Sequence, residues 1–497
     1  MPLDSILSTS DEEKAFEEFL NKYPGYGDTS ALDDLRRTEY GRLDDQDHVY
    51  LDYTGGGLYA ESQLRDHITL LRENIFGNPH SHNPSSMAMT KLVERARIAV
   101  LDHFKTTGED YVVVFTPNAS GALKLVGESY PFRPGGRFAL CADDHNSVNG
   151  IREYAREKGA AVDYSPLTSP DLRMDMDRLD KILDAADPQA DNLFAFPAQS
   201  NYSGVKHPLT LIERARSKGW DVLLDAAAFA PTNELDLGRW QPDFAAFSFY
   251  KIFGYPTGIG ALLVRRSLLS KLRRPWFAGG TVKIVSVKAR EHYLADGEAA
   301  FEDGTINYLG IPAVEIGLRH INNIGMHIIG ERVRCLTGWL LDQLALLKHS
   351  NGRPLVRVHG PNDLTMRGGT ITMSFFDVDG RPVSGAVVEH LAAQSNISLR
   401  TGCFCNPGSG EATFQLPKSL MEQFFVSEDG MNFSELVALI NKVQGVDVSA
   451  VRISVGLASN FSDVYRFIQF ATEFRDQSAD RYKNITAPPE SALRDAA

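Results

Sequence analysis

Short apolar runs alternate with stretches of helical periodicity from residue 49 to about residue 308. Between the apolar runs, segments such as 87–104 place Met89, Val93, Ala96 and Val100 at helical spacing. Strands that alternate with helices favour a mostly parallel sheet with helices on both faces, so the pattern predicts an α/β fold. The predicted strands are 111–115, 138–142, 193–196, 222–225, 244–249 and 260–264.

The pattern changes after about residue 309. A long helical stretch over 311–349 is followed by strand-like runs at 356–358 and 369–375, a helix near 383–394, a strand at 451–455 and a helix near 462–474. We therefore predict a large domain over residues 49–309 and a smaller α+β domain over residues 310–475. Residues 1–48 are expected to join the small domain, and residues 476–497 are expected to form a flexible tail.

Composition narrows the class of protein. The 497 residues are 43% hydrophobic and 23% charged, as in an ordinary globular protein. A net charge of −13 argues against a nucleic-acid surface. The acidic N-terminus lacks the apolar core of a signal peptide, and no apolar run is long enough to cross a membrane. Four cysteines are too few for a disulfide framework, so a cytoplasmic protein is expected.

Lys251 and Asp225 are the first candidates for chemistry. Lys251 lies among Phe249, Ile252 and Phe253, and Asp225 closes an apolar strand-like run. A lysine in apolar surroundings has a lowered pKa and becomes a usable nucleophile. Pyridoxal phosphate (PLP) needs such a lysine for its Schiff base and an acid that keeps its ring nitrogen protonated. A solvated lysine and a structural salt bridge are the ordinary alternatives.

A turn of small and hydroxyl residues over 116–121 follows the first of these predicted strands. Such a strand-to-helix turn can bind a phosphate through free N–H groups and the helix dipole. Ser120 could be the ligand, with Ser248 reaching the same phosphate from the turn of Lys251, although a helix N-cap explains Ser120 equally well. Thr281 and Thr305, on glycine-rich turns, could each add a hydroxyl or belong to ordinary loops.

Two further polar residues follow predicted strands. His145 could stack on a flat cofactor, or it could be a surface-loop histidine. Asn201 could donate to a phenolic oxygen, or it could serve the turn before Gly204.

Cys403 and Cys405 lie one residue apart, just after Arg400. Zinc binding does not fit this spacing, so no metal is expected. The cysteines could be inert core residues, or one could be a reactive thiolate beside Arg400, which could also grip a carboxylate. Such a thiolate can attack the sulfur of a cofactor-bound cysteine, leaving alanine and a protein persulfide.

Six stretches in matching order resemble the class V aminotransferase-like PLP enzymes of fold type I. Within these, the chain is similar to the cysteine desulfurases, and most of all to the N-terminal domain of molybdenum cofactor sulfurases. The stretches are YLDYTGG at 50–56, GNPHS at 77–81, FPAQSN at 196–201, SFYKIFG at 248–254, FEDGT at 301–305 and RTGCFC at 400–405.

The resemblance implies a seven-stranded, mostly parallel sheet and a role for each matching residue. Lys251 would form the Schiff base, Asp225 would pair with the ring nitrogen, and Cys405 would carry the persulfide. The other implied cofactor contacts are His145 on the ring, Asn201 on the ring hydroxyl, and Ala119, Ser120, Ser248, Thr281 and Thr305 on the phosphate. The implied substrate contacts are Arg400, which would hold the carboxylate, Asn78 and Thr54.

The resemblance also implies a function and partners. We expect a PLP-dependent desulfurase-like enzyme acting on L-cysteine or a derivative, with a protein or cofactor as sulfur acceptor. It would be a homodimer in which Thr281 or Thr305 reaches the second subunit's site. A PLP-dependent C–S lyase, or another β- or γ-elimination enzyme without a persulfide, is the first alternative. A PLP-binding or interaction protein without turnover is the second.

Overall fold

The structure is a computed structural model that describes residues 9–79, 81–425, 435, 440 and 448–482. His80 of the 77–81 motif lies outside these ranges. Residues 1–8 of the N-terminal segment and residues 483–497 of the expected tail also lie outside them.

The helices of the described ranges cover most of the predicted amphipathic segments. They are α1 (Thr9–Lys22), α2 (Ala31–Glu39), α3 (Arg42–Asp45), α4 (Glu61–Glu73), α5 (Pro84–His103), α6 (Ala119–Ser129), α7 (Asn146–Asn149), α8 (Ile151–Glu157), α9 (Met176–Asp184), α10 (Thr210–Arg216), α11 (Leu237–Trp240), α12 (Phe249–Phe253), α13 (Pro312–Ile324), α14 (Met326–Leu346), α15 (Gly385–Gln394), α16 (Pro407–Thr413), α17 (Lys418–Phe424) and α18 (Phe461–Thr472). Short 3₁₀ helices lie at Pro24–Thr29, Arg266–Lys271, Gly297–Ala300 and Ala479–Tyr482.

The strands of the same ranges belong to a large central sheet, a smaller antiparallel sheet and three strand pairs. They are β1 (Val49–Tyr50), β2 (Tyr111–Thr116), β3 (Arg137–Cys141), β4 (Ala161–Ser165), β5 (Leu167–Thr168), β6 (Arg173–Met174), β7 (Asn192–Pro197), β8 (Asp221–Asp225), β9 (Phe244–Ser248), β10 (Gly260–Arg265), β11 (Val282–Ser286), β12 (Glu291–Leu294), β13 (Val356–His359), β14 (Thr370–Phe376), β15 (Pro382–Val383), β16 (Ile397–Ser398), β17 (Arg400–Gly402) and β18 (Ala450–Ser454).

The central sheet confirms the predicted α/β fold. Its seven strands run in the order β2-β10-β9-β8-β7-β3-β4. Only β10 is antiparallel to its neighbours, and the pairs β9–β8, β8–β7, β7–β3 and β3–β4 are parallel. Strands that are buried on both faces read as continuous apolar runs, which is why six of the seven strands could be predicted. The seventh, β4, lies at the sheet edge, where only Ser165 of its five residues is fully buried.

The second sheet lies in the C-terminal part of the chain and is antiparallel. Its main order is β13-β14-β18-β17, and β15 also pairs with β14. The helix predicted over 311–349 is two helices, because the chain turns at Gly325 with φ of 92°, a conformation that glycine adopts readily. The domain boundaries at 48, 309 and 475 stay predictions. Phe19 and Tyr26 of the N-terminal segment pack in one core with Trp339 and Phe461, whereas Leu32 and Tyr40 pack in the core of the central sheet.

A β-hairpin that the sequence reading missed projects from the large domain. Its strands β11 and β12 pair only with each other. The hairpin exposes Ile284, Val287 and Tyr293, with Val287 91% exposed. Within the described ranges, no helix combines the length and the apolar character needed to cross a bilayer.

Candidate active site

The carboxyl ends of the central strands meet at one edge of the sheet, and a cavity of about 140 Å³ opens there. Strand β8 ends at Asp225, and β9 ends at Ser248, just before α12 carries Lys251. Most of the residues predicted to contact a cofactor line this one cavity: Lys251, Asp225, His145, Asn201, Ala119, Ser120 and Ser248. Gln199, Ala227, Ala228 and Tyr250 also line it.

The surroundings of Lys251 favour a neutral amine. Burial lowers the pKa of the half-buried Lys251. Attraction to Asp225 opposes this shift, whereas the cations Arg452 and Arg400 add to it. A lowered pKa increases the fraction of free amine at neutral pH, which is the form that attacks an aldehyde.

Asp225 is a buried acid that lines the same cavity. It is 8% exposed, and its Oδ1 accepts the Ala227 N–H at 3.0 Å. Burial raises the pKa of the neighbouring Asp144 well above its usual range, and the negative charge of Asp225 acts in the same direction. The environment thus favours a protonated Asp144.

The N-terminus of α6 lines the Lys251 cavity as a candidate anion site. Asn118 caps the helix by accepting the Gly121 N–H at 2.9 Å, so Ser120 is not the capping residue. Ser248 Oγ accepts the Ala119 N–H at 2.9 Å. Ser120 Oγ lies 2.6 Å from Ser147 Oγ. Hydroxyl groups and a helix N-terminus therefore line one cavity, an arrangement that suits a phosphate.

His145 lies on the same cavity in a fixed tautomer. Its Nδ1 accepts the Ser147 N–H at 3.1 Å, so the neutral ring carries its proton on Nε2. Burial lowers the pKa of His145, which favours the neutral ring. An amine, an acid, an anion site and an aromatic ring line one cavity, and these groups fit pyridoxal phosphate.

The two cysteines of the RTGCFC motif lie on a tight turn between β17 and α16. The Asn406 N–H donates to the Cys403 carbonyl at 3.0 Å and closes the turn. Its two central residues, Phe404 and Cys405, both have φ of 54°. This left-handed conformation is unfavourable for residues other than glycine, so the turn depends on the contacts around it.

Hydrogen bonds and ring contacts to neighbouring segments hold this turn in place. Asn201 Nδ2 donates to the Phe404 carbonyl at 2.8 Å, and the Asn146 N–H donates to the Cys405 carbonyl at 2.7 Å. Asn406 Nδ2 donates to Asp143 Oδ1 at 2.8 Å, and the Phe404 ring packs on Tyr202. The backbone is thereby fixed, while Cys405 is exposed and Cys403 is half-buried.

The predicted carboxylate ligand Arg400 is held by an acid that the sequence reading did not single out. Arg400 Nε and Nη2 both donate to Asp52 Oδ2, at 3.1 and 2.7 Å. Arg452, also missed, is 3% exposed and donates from Nη2 to Asp52 Oδ1 at 3.1 Å. Its Nε is buried without a hydrogen-bond partner in the described residues. An arginine inside the apolar strand predicted at 451–455 was the signal that could have found it.

Four other predicted residues lie outside the Lys251 cavity of this chain. The Thr281 hydroxyl bonds to the backbone of Ala278. Asn78 Nδ2 donates to Thr305 Oγ1 at 3.3 Å, and Thr305 lines a separate cavity of about 570 Å³. Thr54 bonds to Thr370 and lines a cleft that adjoins the Lys251 cavity. The roles predicted for all the site residues stay predictions.

Comparison with known proteins places the chain in a family. The profile described as aminotransferase class V matches residues 49–467. The chain is 36% identical over 483 residues to the molybdenum cofactor sulfurase of Homo sapiens, covering 92% of this chain and 52% of that protein. It thus spans about half the length of this curated relative.

Two solved structures share the fold. The apo cysteine desulfurase from Thermococcus onnurineus NA1 superposes with a TM-score of 0.73 at 23% identity, covering 88% of this chain and 97% of that chain. The cystine C–S lyase solved with its product cysteine persulfide gives 0.65 at 15% identity, covering 86% and 98%. With a profile match over most of its length and this fold, the chain belongs to the aminotransferase class V family.

Proposed function

We propose that this chain is a PLP-dependent enzyme that cleaves the C–S bond of L-cysteine or a cysteine derivative and passes the sulfur to Cys405. One observation carries the proposal: the turn that bears Cys405 is hydrogen-bonded to Asn201 and Asn146, at the rim of the cavity that Lys251 and Asp225 line. Similarity to a molybdenum cofactor sulfurase and to a cysteine desulfurase supports the same reaction class.

Different residues of the cavity would hold different parts of the cofactor. When bound, pyridoxal phosphate supplies the electron sink for bond cleavage at the substrate. The Lys251 amine would hold it covalently and then move the proton at the substrate α-carbon. Asp225 would keep the ring nitrogen charged, and His145 would lie against the ring. Ser120, Ser248 and the N-terminus of α6 would bind the phosphate.

The two arginines would bind the substrate carboxylate. Together with Asp52 they leave one net positive charge, which matches one carboxylate. Burial lowers the pKa of Arg452, and the negative charges of Asp52 and of a thiolate at Cys405 oppose that shift. Cys405 is therefore within electrostatic range of the substrate's anchor. Its thiolate would attack the substrate sulfur, leaving alanine and a persulfide on Cys405.

The proposed enzyme is a cytoplasmic homodimer that delivers its sulfur to an acceptor protein or cofactor. Thr281 and Thr305 flank the exposed apolar hairpin of β11 and β12, which supports a second subunit covering this surface. Mixing the inactive variants Lys251→Ala and Thr305→Ala tests the arrangement. If Thr305 acts across the interface, mixed dimers regain activity at one site; no recovery would place Thr305 in its own subunit's site.

The reaction itself is tested by titrating the purified, cofactor-loaded protein with L-cysteine while alanine, pyruvate and sulfide are measured. We expect alanine from the unmodified protein and from Cys335→Ala, which removes a buried thiol on α14. Cys405→Ala should keep the cofactor absorbance and lose alanine formation. Pyruvate formation that survives Cys405→Ala would show a C–S lyase instead, and no spectral change with any amino acid would show a protein without turnover.

A further inference from the structure

A second thiol lies beside the proposed persulfide, and the proposed reaction does not use it. Cys403 is half-buried on the same turn as Cys405. The chain's two other cysteines are buried. Burial raises the pKa of Cys335 to about 12 and that of Cys141 well above its usual range, which suppresses their thiolates. Cys403 is therefore the thiol placed to react with sulfur on Cys405.

The geometry of the turn brings the two cysteines within disulfide range. The hydrogen bond from Asn406 to Cys403 makes Cys403 the first residue and Cys405 the third residue of a four-residue turn. Phe404, the one residue between them, has the φ of a left-handed helical turn, and Cα atoms two residues apart in a helical turn lie about 5.4 Å from each other. Disulfides form at Cα separations of about 4.4–6.8 Å.

The same contacts prevent Cys405 from carrying its sulfur away. Its carbonyl accepts a hydrogen bond from the Asn146 N–H, and the carbonyl of Phe404 accepts one from Asn201 Nδ2. An acceptor must therefore come to the turn, whereas Cys403 is always present at an effective concentration on the order of millimolar or more. When no acceptor arrives, Cys403 is a thiol on the same turn that can react instead.

We propose that Cys403 resolves an undelivered persulfide on Cys405, a step that rests on the proposed function. The Cys403 thiolate attacks Cys405 Sγ, a Cys403–Cys405 disulfide forms, and the bond to the terminal sulfur breaks. The terminal sulfur leaves as hydrosulfide and takes up the proton that the Cys403 thiol has lost. Cys403 is oxidised while the terminal sulfur is reduced, so no outside oxidant is needed. The disulfide blocks further turnover until a thiol reductant opens it.

The test is a single turnover of the full-length, cofactor-loaded protein without oxygen or added thiol. One equivalent of L-cysteine is added per active site, and alanine and sulfide are measured over time. The peptide between Arg400 and Lys418, which contains both cysteines, is followed by mass spectrometry. We expect alanine and a peptide with one extra sulfur atom first. That peptide should then be replaced, as sulfide appears, by one that has lost two hydrogen atoms.

Variants decide which thiol is responsible. In Cys403→Ser and Cys403→Ala the persulfide should last at least about tenfold longer, whereas Cys335→Ala should match the unmodified protein. Equal persulfide lifetimes in the unmodified protein and Cys403→Ser, with alanine formed, would overturn this inference alone. Transfer of the extra sulfur to Cys403 without sulfide release would do the same. Absence of alanine would overturn the proposed function and this step together.

Discussion

Gly408, in the first turn of α16, packs directly against the carbonyl of Ala142 at the end of β3: a Cβ atom on Gly408 would overlap that carbonyl oxygen. Asp143, the next residue after Ala142, accepts a hydrogen bond from Asn406. The cysteine turn is therefore positioned by close backbone packing on the same strand end that leads to His145.

This packing predicts that Gly408→Ala impairs sulfur transfer without loss of the cofactor site. The added methyl group meets backbone, so α16 and the turn before it must shift. A displacement of about 1 Å at a reacting group can lower a rate by about 100-fold, so we expect a loss of about 10- to 100-fold in alanine formation from L-cysteine. Gly410→Ala is the matched control, because a Cβ there meets nothing within 4 Å. Equal rates for the two variants would contradict the positioning role.

Gly55→Ala is predicted to weaken substrate binding. A Cβ on Gly55 would lie 2.5 Å from Asp52 Oδ2 and 2.8 Å from Arg400 Nη2, so the ion pair must open. Loss of about 1.4 kcal/mol of carboxylate binding would raise KM for L-cysteine about tenfold, with a smaller change in kcat. Gly108→Ala, which has open space around its Cβ, should leave both constants unchanged. An unchanged KM in Gly55→Ala would remove Arg400 from the carboxylate site.

Arg36→Leu is predicted to destabilise the junction between the N-terminal segment and α18. Arg36 Nη1 lies 2.5 Å from Asp463 Oδ2, and both side chains are almost fully buried. Removing the arginine leaves a buried carboxylate without its cation, which costs about 3–5 kcal/mol. Arg37→Leu, next to it, loses only an exposed pair with Asp34 and should cost within about 0.5 kcal/mol. Urea-induced unfolding of both variants measures the difference, and equal midpoints would contradict the prediction.

Local sequence carried enough information to predict the central sheet and the residues around Lys251. The strands are buried on both faces and read as apolar runs, and their carboxyl ends must meet at one edge of a parallel sheet. Asp225, Ser248 and Asn201 follow from that rule, since each lies at or just after a strand end. For these three residues, the position relative to the end of a strand is enough to predict that they lie at the site.

The arginine pair and the cysteine turn could not be predicted in this way. Arg400 and Arg452 are opposite each other where β17 pairs with β18, and Asp52 reaches them because it bridges to Ser454. These residues are far apart in sequence. The left-handed conformations of Phe404 and Cys405 have no glycine or asparagine at those positions to signal them. They depend on contacts to Asn201 and Asn146, which exist only in the folded chain.

The lowered pKa of Lys251 predicts how cofactor uptake depends on pH. Only the neutral amine attacks the aldehyde, so uptake should slow about tenfold for each pH unit below the pKa and level off above it. Because burial lowers this pKa, the plateau should begin below the value of about 10.4 that an ordinary lysine shows. Absorbance changes on mixing apo protein with pyridoxal phosphate over a pH series measure the profile, with acetyl-lysine as the reference amine.

Two variants test whether the charges of Asp225 and Arg452 raise or lower the pKa of Lys251. Asp225 raises the pKa of Lys251 against the effect of burial, so Asp225→Asn should move the midpoint of uptake to lower pH. Arg452 lowers the same pKa, so Arg452→Gln should move the midpoint to higher pH. Shifts in opposite directions require both charges to act on one amine in one cavity. If both variants shift the midpoint the same way, or if uptake persists in Lys251→Ala, then the amine that titrates is not Lys251.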